Sequence, residues 1–96
     1  MANIIDFEFN IINCTCKISL TYTPDIPNID KTISFFDVGN ISVKRYHEPE
    51  DNCLGDFDGI TACCLDKMRS EFSINTGDCL VKFEARTEYE TTEITS

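Results

Sequence analysis

The sequence predicts a mainly β fold, an antiparallel meander forming a small sandwich or one curved sheet, with room for one short helix. Three observations predict it. Apolar residues recur with period two along most of the chain. Two pairs of such runs fold onto each other as hairpins whose apolar residues share a face. The runs are joined by short segments of Pro, Gly, Asn and Asp. At 96 residues the chain is read as one domain spanning 1–96, and its 42% apolar content excludes global disorder.

In "IIDFEFNII", Ile5, Phe7, Phe9 and Ile11 alternate with Asp6, Glu8 and Asn10, as a half-buried strand requires. In "CKISLTY", Cys16, Ile18, Leu20 and Tyr22 alternate with Lys17, Ser19 and Thr21. Folding these runs about Asn13-Cys14 sets Ile11 against Cys16, Phe9 against Ile18 and Phe7 against Leu20, with every apolar residue on one face. "TPDIPNIDK" is a loop on its two prolines and its Asp and Asn residues. "TISFFDV" places Ile33 and Phe35 on one face and Phe36 and Val38 on the other. Gly39-Asn40 interrupts, as a bulge in one bent strand or a turn between two, before "ISVKRY" resumes with Ile41 and Val43 in phase.

Two readings compete for "FDGITACCLDKMRSEF". Phe57, Ile60, Cys64, Met68 and Phe72 have helical spacing, with Asp56 placed to cap. Gly59, the β-branched Ile60 and Thr61 and the short connections favour instead a strand over Thr61–Leu65, turning through "DKMRS" into "EFSIN". Next, "EFSINTGDCLVKFEA" folds about Gly77-Asp78, a pair suited to a type II′ turn, and sets Ile74 against Val81 and Phe72 against Phe83. Residues 87–96 are polar and read as an edge strand or a frayed tail.

Charge narrows the function classes. Seventeen acidic residues against eight basic give a net charge of −9, which disfavours direct nucleic-acid binding and suits a basic partner or plain solubility. No apolar stretch reaches the length of a membrane span, and "MANIIDFEFN" lacks the basic and apolar regions of a signal peptide. With Met1 at its start the chain is read as complete and cytoplasmic. Its six cysteines are then expected to be thiols, packed as small apolar residues. Cys14-x-Cys16 and Cys63-Cys64 lack the spacing of zinc knuckles, and disulfides are the alternative if the chain is secreted.

The stretch "HEPEDNCLGDFDGITACC" concentrates the chemistry-bearing residues. Aligning Gly59 with the glycine of an EF-hand loop puts Leu54 and Leu65 where oxygen ligands are required, so that motif fails. An irregular Ca²⁺ loop from Glu50, Asp51, Asp56 and Asp58 is the alternative. The single histidine, His47, would need a cysteine of lowered pKa as a catalytic partner, and Cys53 lies among acids that raise it. Neither a Gly-rich phosphate loop nor a Ser-nucleophile motif occurs. No enzyme, metal or cofactor is therefore expected. What survives is a binding surface, with Glu48, Glu50, Asp51, Asp56 and Asp58 as carboxylates and Tyr46, Leu54 and Phe57 as apolar anchors. Asp25 and Asp30 occupy another loop, and Glu88, Glu90 and Glu93 follow Arg86 with no basic neighbour.

The order "ISFFDVGNISV…DNCLGDFDGI…SEFSINTGDCLVKFEA", over residues 32 to 86, resembles small β-rich immunity proteins of bacterial toxin systems, in which alternating strands are joined by acidic turns. The resemblance implies a cytosolic inhibitor that binds and occludes a toxin, often a basic nuclease. A phage-encoded inhibitor of a bacterial defence system has the same physical character. A disulfide-stapled or calcium-assisted secreted binding module is the further alternative.

Overall fold

The computed structural model describes residues 2–23, 25–26, 28–46, 55–76 and 79–94. Among the described residues nine strands form two antiparallel sheets packed as a sandwich: β1 (Asn3–Asn10), β2 (Thr15–Thr21), β3 (Lys31–Phe35), β4 (Gly39–Arg45), β5 (Gly55–Asp56), β6 (Thr61–Cys64), β7 (Arg69–Asn75), β8 (Cys79–Arg86) and β9 (Glu90–Glu93). One sheet has the order β5-β1-β2-β3-β9 and the other β4-β8-β7-β6. The described residues contain no helix, and the room left for a short one is not used.

The faces between the sheets carry the core. Ile4, Cys16, Ile18, Leu20, Ile33 and Phe35 come from the first sheet, and Phe72, Ile74, Val81, Phe83 and Ala85 from the second. At its centre Phe35 sits 4.9 Å from Phe72 and 4.8 Å from Phe83 between ring centroids, and Tyr89 lies 5.0 Å from Phe35. These tilted and edge-on contacts are the geometries that aromatic quadrupoles favour. They also fix which parts of the two sheets face each other.

The β7–β8 hairpin has the expected register, with Phe72 opposite Phe83 and Ile74 opposite Val81. Its turn residues Gly77 and Asp78 lie outside the described residues. Thr76 and Cys79 close the hairpin beneath them, the Thr76 amide donating to the Cys79 carbonyl and the Cys79 amide to Thr76 Oγ1.

The β1–β2 hairpin forms with a register displaced by two residues from the expected one. Phe7 pairs with Ile18 and Phe9 with Cys16. Ile11 is left in the turn, 88% exposed. The turn spans Ile11–Cys14 rather than Asn13-Cys14, and Cys14 takes the left-handed conformation (φ 53°). Asn10 Oδ1 accepts the Asn13 amide and so holds this wider turn. A register shift at Ile5 then moves the pairing once more, and Ile4, facing Leu20, becomes the fully buried residue. Because the two-residue displacement is even, Phe7, Phe9, Cys16 and Ile18 keep the inward face, whereas the shift at Ile5 turns Ile4 inward in place of the expected Ile5.

Gly39-Asn40 marks a change of sheet. After β3 the chain leaves the first sheet at Phe36, buries Val38 and enters the second as β4, with a register irregularity between Gly39 and Ser42. Asp37 (φ 56°) makes the corner, and Arg69 Nη1 grips it by donating to its carbonyl at 2.9 Å and its carboxylate at 2.8 Å. Ile41 and Val43 are in phase with the core, Val43 lying opposite buried Val81, yet they are 45% and 54% exposed. β4 is the outermost strand of its sheet, so phase alone does not bury it.

The contested segment is a strand. β6 pairs with β7 from Thr61↔Ser73 to Cys64↔Ser70. The Asp66 carboxylate accepts the amides of Met68 and Arg69 and so stabilises the reversal. Asp56, placed to cap a helix, lies instead in β5 and accepts a bond from Asn3 Nδ2 at 2.9 Å. β9 forms the outer edge of the first sheet beside β3.

Candidate functional site

Four residues, Phe57–Ile60, carry the chain from β5 in the first sheet to β6 in the second. Phe57 and Ile60 pack against the core, and the Phe57 amide donates to the Ala2 carbonyl. With Lys31, Ile33 and Tyr89 they line a shallow groove, so this crossing closes the end of the sandwich where β1 and β3 begin. Gly59 (φ +104°) supplies a bend that side-chain-bearing residues rarely adopt. Asp56 and Asp58 stand exposed on either side of half-buried Phe57, as the alternation of an extended chain dictates.

The same end of the first sheet gathers acids from three other parts of the sequence. Asn3, which holds Asp56, pairs with Thr21 across β1 and β2. Thr21 Oγ1 donates to Asp30 at 3.3 Å, and the Tyr22 amide donates to the same carboxylate at 2.7 Å. The Ile94 amide donates to the Asp30 carbonyl, which anchors the end of β9 here and places Glu93 opposite Lys31. The Tyr22 hydroxyl reaches Glu93 Oε1 at 3.5 Å. Asp25 is exposed in the adjoining loop. Desolvation, then the charge and hydrogen bond of Glu93 and the charge of Asp30, raise the Tyr22 pKa above its ordinary value. Two carboxylates, Glu93 and Asp30, thus act on Tyr22, with Lys31 opposite Glu93.

Of the sequence-predicted site residues, Tyr46 follows β4 directly, 48% exposed, with Lys44 Nζ 5.8 Å from its ring centroid. Asp56 and Asp58 face solvent, and Phe57 turns inward against the core. Glu48, Glu50, Asp51 and Leu54 lie outside the described residues, as do His47 and Cys53. The expected Ca²⁺ alternative draws two of its four ligands from that segment. Among the described residues no group of three or more His, Cys, Asp or Glu side chains is placed to hold a metal ion.

Sequence reasoning named Asp25, Asp30 and Glu93 but assigned them to separate segments. That Asp30 and Glu93 lie at the same end of the sheet as Asp56 depends on the Asn3–Thr21 and Lys31–Glu93 pairings, which no local pattern announces.

The five described cysteines are free thiols. Cys16 and Cys79 are buried as expected, and burial pushes the Cys16 thiol up to about 12. Cys14, Cys63 and Cys64 are exposed, against the expectation of packed thiols. Cys14 occupies the β1–β2 turn, and Cys63 and Cys64 lie in β6, the outermost strand of its sheet among the described residues.

Among the described residues no helix is long and apolar enough to cross a membrane. No protein-family model, curated protein or solved structure matches the chain.

Proposed function

We propose that the chain is a stoichiometric binding protein that occludes a basic protein partner, a nuclease toxin in the immunity-protein reading, through the acidic end of its sandwich. The observation that supports this reading is the placement of Asp30, Asp56 and Glu93 along one end of the five-stranded first sheet, with Asp25 in the loop after β2 and Asp58 just past β5, in a chain of net charge −9. Carboxylates held by a rigid β scaffold present a fixed charge pattern to a cationic surface. Such rim charges speed encounter and select the partner, while apolar contacts slow dissociation. Tyr46 supplies exposed aromatic surface of the kind that anchors interfaces. The cytoplasm is the compartment this reading implies, and no chemistry is required of the chain itself.

Affinity capture from the native host, followed by mass spectrometry, should recover one dominant partner with a basic surface. Recovery of no dominant partner would count against inhibition. With the partner in hand, reversal of Asp25, Asp56 and Asp58 to Lys should slow association about tenfold or more and flatten its dependence on salt. An unchanged association rate would remove this end of the molecule from the interface.

A further inference from the structure

We propose that two copies of this chain join edge to edge through β6, antiparallel, in the register that sets Cys63 opposite Cys63 of the second copy. β6 is the one described strand with no charged side chain. The other strands at sheet margins are guarded: β4 by Lys44 and Arg45, β9 by Glu90 and Glu93, β5 by Asp56 and its neighbour β1 by Asp6 and Glu8. Charged edges are how β proteins keep their open backbone groups from pairing with other chains, and β6 lacks that protection. All four of its residues, Thr61, Ala62, Cys63 and Cys64, are exposed. Two chains of net charge −9 repel over most of their surfaces, and this edge lets them meet without opposed like charges.

The hydrogen-bond alternation selects the register. Adjacent antiparallel strands bond through every second residue, and the residues between turn their N–H and C=O groups the other way. The Leu65 amide donates to the Arg69 carbonyl, in line with the pairing that sets Cys63 against Glu71 and Thr61 against Ser73. Residues 61, 63 and 65 therefore bond to β7. The far side of β7 agrees: the Thr76 amide donates to the Cys79 carbonyl, so its even-numbered residues bond to β8 and its odd-numbered ones to β6. Ala62 and Cys64 consequently direct their backbone groups to the open edge, where no further strand lies among the described residues.

A two-fold axis must match these groups with themselves. Setting Ala62 opposite Cys64 of the second copy, and the reverse, uses every one of them and forms four backbone hydrogen bonds. A slip of two residues in either direction needs Ile60 or Asp66, which lie outside the strand, and the Asp66 amide is already donated to Arg69. The two-fold then falls on Cys63, which meets its counterpart as a non-hydrogen-bonded pair. In such pairs the Cα atoms are about 4.5 Å apart, at the short end of the disulfide range. Past the strand ends, Lys67 of one copy comes within one residue of alignment with Asp58 of the other, twice by symmetry. Asp66 is occupied by its own turn.

The test uses the full chain. Under reducing conditions, sedimentation velocity should show the 10.9 kDa species doubling in mass as concentration rises, and A62K should abolish that change. Ala62→Pro should act in the same way, since the Ala62 amide makes no bond to β7 and its loss leaves the hairpin intact. Circular dichroism separates either effect from misfolding. A second arm traps the register in variants retaining Cys63, Cys64 or Cys14 as the only exposed described thiol, all with Cys53→Ser. Oxidised glutathione converts two Cys63 thiols into one disulfide and leaves two molecules of reduced glutathione. Covalent dimer should form at least tenfold faster through Cys63 than through Cys64 or Cys14. A wild-type chain monomeric at millimolar concentration, a dimer indifferent to A62K, or equal cross-linking rates would each overturn the proposal. Asp25, Asp30, Asp56 and Glu93 take no part in this contact, so failure of the dimer leaves the acidic-end reading to its own charge-reversal test.

Discussion

The two hairpins that dominate the sandwich differ in how far local sequence controls them. In β7–β8 both strands lie inside their sheet, flanked by β6 and β4, and each inward residue meets an inward residue of matching size. In β1–β2, among the described residues, β1 is paired on its outer side at two positions, Asn3 and Ile4, through β5. There the strand accommodates a register shift at Ile5, a four-residue turn and two half-buried phenylalanines. The comparison teaches that register is tightly specified where both sides of a strand are occupied. Where one side is open, the same period-two pattern tolerates a slip by an even number of residues.

The sharpest way to separate the two hairpins is to remove an aromatic from each. Phe83, fully buried against Phe35 and Phe72, should cost about 3–5 kcal/mol when changed to Ala. Phe7, half-buried near the open margin, should cost about half as much by the same reasoning. Urea unfolding of both variants measures the difference, and equal losses would mean that the β1 side is as tightly packed as the centre.

A second probe uses pH. The folded state holds the Cys16 thiol up at about 12, against an ordinary value of 9.0, because burial opposes the thiolate. The folded state therefore binds the proton more tightly than the unfolded one. The contribution of this group is fully present below pH 9 and is lost as pH climbs towards 12. Cys16→Ala should flatten the loss of stability over that window. At pH 8 an alkylating reagent should modify Cys14, Cys63 and Cys64 in the native protein, and Cys16 only at the rate of unfolding.

The smallest expected effect is the most pointed test of register. The expected pairing puts Ile11 against Cys16, and the structure leaves it 88% exposed in the turn. Ile11→Ser should then change stability by less than about 0.5 kcal/mol. A loss of about 2 kcal/mol or more would restore Ile11 to the core and the original register with it.

Much of the candidate site could be read from composition, but its assembly could not. Asp56 and Asp58 flank Phe57 in the sequence, and their exposure follows from extended-chain alternation. Glu93 is 35 residues further along than Asp58, and only the pairing of β9 with β3 brings it to the same end. Phe57, named as an anchor among acids, is drawn inward because the crossing between sheets needs an apolar residue over the core.

By itself the sequence determined the β class, the inward faces of β2, β7 and β8 and of β1 from Phe7 onward, the division of β3 into two faces, and the β7–β8 register. Side-chain alternation is a property of each extended segment, and paired apolar residues across a short turn leave one register that buries them all. Only the tertiary structure decided that the chain changes sheets after Phe36 and again at Phe57–Ile60, that Thr61–Cys64 is a strand at an edge, and that Ile41 and Val43 remain partly in solvent. Those outcomes depend on what lies across the sandwich from each strand. A strand at the margin has no such neighbour, and its own pattern of residues cannot supply one.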